Sequence, residues 1–188
     1  MRKSLQTLGL SVFIVIALIV IGIGLLPGMN TWVSIVAAAI LATIPFVNKR
    51  ITSKRFVAWT GDLSVGIDSI DDDHKKLLTL INNLQTAVYY PTGEAFERQA
   101  LQELVDYTKY HFEREEKLML DNDYADYEPH KRQHEAMIAK VNGFMDAYEK
   151  DRDSTVEEIT VFLKDWLLKH IAGTDQLYSE HLRSRNVN

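Results

Sequence analysis

His111-Phe112-Glu113-Arg114-Glu115, His130-Lys131-Arg132-Gln133-His134 and His170-Ile171-Ala172-Gly173-Thr174-Asp175 are the stretches that decide how this chain folds. Together they hold four of its six histidines and two acids that fall in step with them. A fifth histidine, His74, follows the Asp71-Asp72-Asp73 triplet. Each stretch lies in sequence that reads as helix. Residues four apart on a helix sit nearly above one another. His111 with Glu115, and His130 with His134, therefore each aim two donors at one place. His74 joins the apolar stripe of Leu77, Leu78 and Ile81 and so faces inward. Five imidazoles and two carboxylates exceed what one ordinary metal ion needs. They suit two adjacent cations that share bridging carboxylates. Histidines scattered over helix surfaces rarely give two such pairs with partners in phase.

The third stretch carries a constraint of its own. His170 and Asp175 are five residues apart, about 140° around a regular helix. They reach one site only if the helix ends or bulges between them. Gly173, followed by Thr174, is where the backbone can do so.

Around these stretches, residues 56–188 show helical periodicity and no strand alternation of note. They number about 130, one domain's worth. A first helix is expected from near Asp71, whose carboxylate can cap free N–H groups, to Tyr90-Pro91. Thr92-Gly93 makes a turn. A second runs from about Glu94 to Leu120, and a third from about Glu128 to Lys150. A fourth opens at Ser154, whose spacing to Glu157 fits a capping box, and reaches about Ala172. A short fifth runs from Thr174 to Arg185. Four amphipathic helices with short connections pack as an up-down-up-down bundle. The Asp71-Asp72-Asp73 run reads as a solvated helix start and His181 as a surface residue. Trp166, one turn before His170, reads as packing, and neither Tyr107 nor Tyr110 has a ligand's spacing.

The N-terminal 55 residues are different. Residues 4–48 contain no charged side chain. Two apolar runs, 8–26 and 32–47, flank the turn-forming Pro27-Gly28-Met29-Asn30-Thr31. The first is about 28 Å long as a helix and spans a hydrocarbon core. The second, about 24 Å, needs a neighbouring residue or a thinned bilayer. The expected fold is thus all-α: two transmembrane helices in residues 1–55, then a four-helix bundle in 56–188. Arg2-Lys3 before an apolar run also fits a signal peptide, but 19 residues is long for one and a second run follows at once. A re-entrant second run, giving a single span, is the other alternative. Ala37-Ala38-Ala39 with Ala42 admits close helix approach, and with it a homo-oligomer, without setting its state.

Charge divides at the same boundary. All 26 acids follow residue 55, with 15 of the 21 basic residues, so this part carries a formal −11. Such a domain is a poor nucleic-acid binder. Arg2, Lys3, Lys49, Arg50, Lys54 and Arg55 flank the apolar runs, and the loop between them is neutral. The positive-inside rule then places both ends, and the bundle, on the cytoplasmic side of the cell inner membrane. The absence of cysteine excludes a disulfide scaffold and does not oppose this placement.

The order His74, His111-x-x-x-Glu115, His130-x-x-x-His134, His170-x-x-x-x-Asp175 resembles the hemerythrin signature. The flanking words look like those of bacterial hemerythrins: Trp59, Leu63-Ser64-Val65-Gly66-Ile67, Ile70-Asp71-Asp72-Asp73-His74-Lys75 and Trp166-Leu167-Leu168-Lys169-His170-Ile171. The likeness covers about residues 56–182, with all seven ligand positions present. The apolar hairpin lies outside the family's core pattern. The resemblance implies a centre of two non-haem iron ions with an oxo or hydroxo bridge. By that likeness His130, His134 and His170 bind one iron, His74 and His111 the other, and Glu115 and Asp175 bridge both. The His74/His111 iron then has the open position for dioxygen. An apolar pocket of Leu77, Phe112 and Leu167 would keep water and protons out.

The function implied is reversible dioxygen binding, not catalysis, for storage, for sensing, or for delivery to a membrane oxidase or oxygenase. A di-iron oxidase or peroxide-handling enzyme is a competing reading. Those bundles rely on Glu-x-x-His pairs, and this sequence has none. An oxygen- or iron-responsive signalling adaptor is the third. Topology is testable by itself. Reporter fusions at residue 29 and at the C terminus should report opposite sides of the membrane; a periplasmic C-terminal signal overturns the orientation.

Overall fold

The computed structural model describes residues 2–24, 26, 31–90 and 92–187. The turn expected at 27–30 and the helix end expected at Pro91 lie outside the described residues. Two compact units form: residues 1–56 with 89–91, and residues 57–88 with 92–188.

In the first unit, α1 (Arg2–Gly24) packs against α2 (Thr31–Arg55). The Ser34 hydroxyl joins them, donating to the carbonyls of Val20 (3.2 Å) and Ile21 (3.3 Å). The other faces are apolar and exposed, with Phe13, Ile16, Ile19, Val33 and Val36 among them. The structure corrects the expected lengths. Helix α2 does not stop at residue 47 but runs on through the cationic collar to Arg55. Lysine and arginine are good helix formers, so backbone bonding continues where the apolar run ends. Among the described residues, Thr31–Arg50 is long and apolar enough to cross a membrane, with mean hydropathy 1.8. Ser11–Gly24 is apolar but shorter. One helix meets that criterion, where two were expected.

The second unit is helical throughout its ordered elements. After an arm and a 3-10 turn (Gly61–Leu63) come α3 (Asp68–Tyr89), α4 (Glu94–Asp121), α5 (Tyr127–Lys150) and α6 (Arg152–Lys169). A π-helical turn (His170–Thr174) then leads into α7 (Asp175–Ser184). Leu77, Ile81, Leu84 and Val88 recur at three- and four-residue steps along α3 and are all buried. Leu101, Leu104 and Val105 of α4, Met137 and Val141 of α5, and Ile159 and Leu163 of α6 complete the interior.

Two caps differ from expectation. Helix α6 begins at Arg152, and its cap is Asp151, whose carboxylate accepts the Ser154 N–H (3.4 Å). Ser154 is therefore the receiving position of the box, not its start; the acid one turn earlier is the stronger acceptor. Helix α3 begins at Asp68, three residues before Asp71. Asp71 instead faces back to the arm. Its carboxylate accepts the Val65 N–H (2.8 Å) and the Ser64 hydroxyl.

The arm is held at further points. Asn82 clasps Val57 with both ends of its amide, donating to the carbonyl (2.7 Å) and accepting the N–H (2.9 Å). Gln176 of α7 donates to the Ser64 carbonyl (3.2 Å). Val65 and Ile67 are fully buried and form a small core with Ile70, Met119, Tyr178 and Leu182. Gly66 between them sits at φ 71°, and a Cβ there would lie 2.9 Å from the Arg183 guanidinium. The positive φ favours glycine, while the guanidinium, at the end of a flexible side chain, could move aside. Asp71→Ala should leave the buried Val65 N–H unpaired and cost about 1–3 kcal/mol in denaturant unfolding. An unchanged midpoint overturns the arm's dependence on Asp71.

Candidate metal centre

Helices α3, α4 and α5, the π turn that continues α6, and α7 each send at least one polar side chain into the same buried volume. His74 comes from α3, His111 and Glu115 from α4, and His130 and His134 from α5. His170 opens the π turn and Asp175 opens α7. The seven residues expected from the sequence thus meet at one place, and all are buried. The π turn does what the 140° argument requires. The Asp175 N–H bonds to the carbonyl of His170, five residues back. One extra residue in the turn brings Asp175 round under His170, their Oδ1 and Nε2 atoms 3.1 Å apart.

The donors divide into two groups. The Nε2 atom of His134 lies 3.0 Å from that of His130 and 3.0 Å from that of His170. His130 Nε2 is also 3.5 Å from Asp175 Oδ1, and His134 Nε2 is 3.4 Å from Glu115 Oε2. On the other side, His74 Nε2 lies 3.4 Å from Asp175 Oδ2 and 3.7 Å from Glu115 Oε1. His111 Nε2 lies 3.5 Å from Glu115 Oε2. Asp175 therefore turns one oxygen to each group, and Glu115 faces both. The ring nitrogens of His74 and His111, Glu115 Oε2 and both Asp175 oxygens are buried without a hydrogen-bond partner. Unpaired buried acceptors of this kind are costly unless a cation fills the space between them. Imidazole and carboxylate suit borderline first-row cations. The residues fit a pair of metal ions.

The charges agree. Burial disfavours the Glu115 carboxylate, but the charge of His111 and bonds from His134 and His74 hold it well below the usual range. Burial and the Glu115 charge oppose ionisation of Asp175, but His170 and His74 keep it low. Burial pushes His74 down, yet its contacts with Asp175 and Glu115 outweigh this and carry it up to about 9. His130 goes the other way, to about 4, through burial and the neighbouring charge of His134.

Several surrounding residues escaped the sequence reading. Tyr178 donates its hydroxyl to Glu115 Oε1 (2.5 Å) and is fully buried. Burial and the two carboxylates push its phenol well above the ordinary value, so it stays a donor. Half-buried Glu116 meets His134 Nδ1 at 3.0 Å. Asp73 is not solvated as expected; it is buried against Tyr107, Arg114 and His111. His181 is half-buried, with Nε2 2.8 Å from the Asn122 carbonyl. Their only sequence signal was position: Asp73 before a ligand, Glu116 after one, Tyr178 one turn beyond Asp175. Of the expected apolar pocket, Phe112 stacks on His134 (ring centroids 3.7 Å apart, planes within 1°). Leu77 and Leu167 are buried one turn from His74 and His170. Trp166 stacks on His170 at 4.3 Å.

The hemerythrin HHE cation binding domain matches residues 65–182. The chain belongs to the hemerythrin family. A bacteriohemerythrin of Stenotrophomonas maltophilia is 34% identical over 128 residues, 68% of this chain and 82% of that protein. One from Methylococcus capsulatus is 29% identical over 124 residues, 65% of this chain and 93% of that protein. A crystal structure of wild-type hemerythrin superposes with a TM-score of 0.61 at 27% identity, covering 67% of this chain and 97% of the other. A hemerythrin domain binds a di-iron centre, and the buried His/Glu/Asp cluster is compatible with one. Residues 2–64, including α1 and α2, precede the matched segment. In the metal-free protein, Tyr178→Phe should take away a donor from a fully buried carboxylate and cost about 1–3 kcal/mol in thermal unfolding. No loss of stability would show that Glu115 does not depend on this bond.

Proposed function

We propose that this hemerythrin-family chain binds dioxygen reversibly at a di-iron centre, held at the cytoplasmic face of the cell inner membrane by its N-terminal helices. Family members bind oxygen and are not enzymes. The observation that carries the reading is the uneven division of five buried imidazoles about two shared carboxylates. In this assignment His130, His134 and His170 hold one iron, His74 and His111 hold the other, and Glu115 and Asp175 span both. The His74/His111 side has one imidazole fewer and so keeps a place for a small ligand. Iron held by these residues would lend electrons to dioxygen on binding and take them back on release.

The chain's own residues do the rest. Tyr178 fixes Glu115 by its hydrogen bond. Phe112 and Trp166 lie flat on His134 and His170 and hold those rings in place. Leu77, Phe112 and Leu167 exclude water, which removes the proton source that would drive irreversible oxidation. Membrane tethering rests on the apolar α2 segment and the flanking cations. It would set the bundle beside a lipid phase in which dioxygen is more soluble than in water, and beside a membrane oxidase or oxygenase. A signalling role has one observation in its favour. Gln176, adjacent to Asp175, bonds to the Ser64 carbonyl, so the arm before the bundle touches the site's own helix.

Iron-loaded protein should gain a visible absorption band under dioxygen, lose it when the gas is removed and regain it on re-addition. Leu167→Ser should keep the iron content yet shorten the life of the oxygenated form, because a hydroxyl and water now enter the pocket. His111→Ala should instead lower the iron content itself. Irreversible oxidation of the wild type with fast turnover of an added reductant overturns the carrier reading in favour of an oxidase.

A further inference from the structure

His111 presents a problem that its neighbours answer. Its Nε2 points across the cage, 3.5 Å from Glu115 Oε2. Nδ1 points out of the cage and is buried without a hydrogen-bond partner. The acceptor within reach is Asp73, whose Oδ2 lies 3.6 Å away. Asp73 is itself 4% exposed. Tyr107 donates to its Oδ1 (2.7 Å), and Arg114 reaches both oxygens (3.3 and 3.1 Å). Arg114 in turn donates to the Ser69 carbonyl (3.3 Å) and to the Tyr110 hydroxyl (2.6 Å). The carboxylate is therefore fixed by three bonds from two residues, and Oδ2 keeps a lone pair toward the imidazole.

We propose that Asp73 is a positioning residue for His111: clamped by Tyr107 and Arg114, it accepts the Nδ1 proton, aims Nε2 into the cage and raises the ring's basicity. The inference rests on the di-iron reading above and deepens it. A ligand imidazole becomes a stronger Nδ1 donor once a cation sits on Nε2, and Asp73 Oδ2, 3.6 Å away, is the carboxylate oxygen placed to receive it. The effect falls on the side with fewer imidazoles, where dioxygen is expected. His134 meets Glu116 at 3.0 Å on the other side, but Glu116 is only half-buried, so its charge is screened by water. The buried Asp73 acts with little such screening. Its charge would favour the ferric state of an iron held by His111, and Arg114 would moderate that charge.

The test uses full-length, iron-loaded protein with Asp73→Asn, Asp73→Leu and Arg114→Gln. Three quantities are read: iron content, midpoint potential, and solvent exchange of the His111 ring N–H in proton NMR. Asp73→Asn retains an acceptor and should keep the N–H protected, while the lost negative charge moves the potential positive. Asp73→Leu removes the acceptor. It should speed N–H exchange and weaken iron retention about tenfold. Arg114→Gln should move the potential the opposite way, which a merely structural ion pair does not predict. Unchanged N–H exchange in Asp73→Leu overturns the proposal even if the potential shifts, because the charge would then act through space and not through His111. Shifts of one sign in Asp73→Asn and Arg114→Gln overturn it as well. A wild type that fails to hold two irons overturns the di-iron reading instead, and does so before any variant is compared.

Discussion

Carboxylates cut off from water persist only where positive charge or donors surround them, and this bundle buries two, Glu115 and Asp175, at zero exposure. Much of the second unit's interior follows from that constraint. Imidazoles must approach from all four long helices, so α3, α4, α5 and α6 have to meet at one level. The apolar stripes on either side of the site bring them there. Tyr178 must then be buried too, to complete Glu115, and α7 has to return along the bundle to deliver it. The arm over Tyr178 closes the end, with Val65 and Ile67 at zero exposure. The donors come from several helices because no single helix face can carry so many.

The π turn is the backbone's answer to the same constraint. His170 and Asp175 serve opposite ends of the cage: Asp175 Oδ1 faces His130 and His170, while Oδ2 faces His74. A regular helix would send Asp175 to another face. The irregular turn costs some backbone regularity, and the convergence of buried charge offsets it. Such bulges recur at functional positions, and here the reason is visible in the spacing.

That spacing is why so much of this arrangement was legible in the sequence. Pairs four apart declare a shared helix face, and the five-residue interval declares a break. The placements of His74, His111, Glu115, His130, His134, His170 and Asp175 follow from one-dimensional periodicity. The roles of Asp73, Glu116 and Tyr178 do not, because each acts on a side chain of another helix and so depends on packing across the bundle. Asp73 looked solvated beside two other aspartates; Tyr107 and Arg114, 34 and 41 residues away, make it a buried acceptor. Asp71 and Ser154 were misread for a related reason. Capping residues are chosen by local competition among neighbouring acceptors: Asp151 takes the Ser154 N–H, and the Asp71 carboxylate is taken up by the arm. The length of α2 was missed because an apolar run marks what lipid tolerates, not where helical hydrogen bonding stops.

The proton balance of the cage argues for cations as its native occupants. Its imidazoles are driven in opposite directions within one cavity: His74 up to about 9, His130 down to about 4. His74 faces both carboxylates and gains from carrying charge. His130 faces the other imidazoles and loses by it. Three Nε2 atoms in contact at 3.0 Å cannot all carry protons, since facing N–H groups repel. Against burial, Glu115 and Glu116 favour a proton on His134, but the three facing nitrogens cannot all be satisfied by protons. A cation among those three nitrogens removes the conflict, because each lone pair then has the same partner and every proton moves to the outward Nδ1. The outward acceptors follow the same logic. Glu116 stands behind His134 and Asp73 behind His111, where the displaced protons would point.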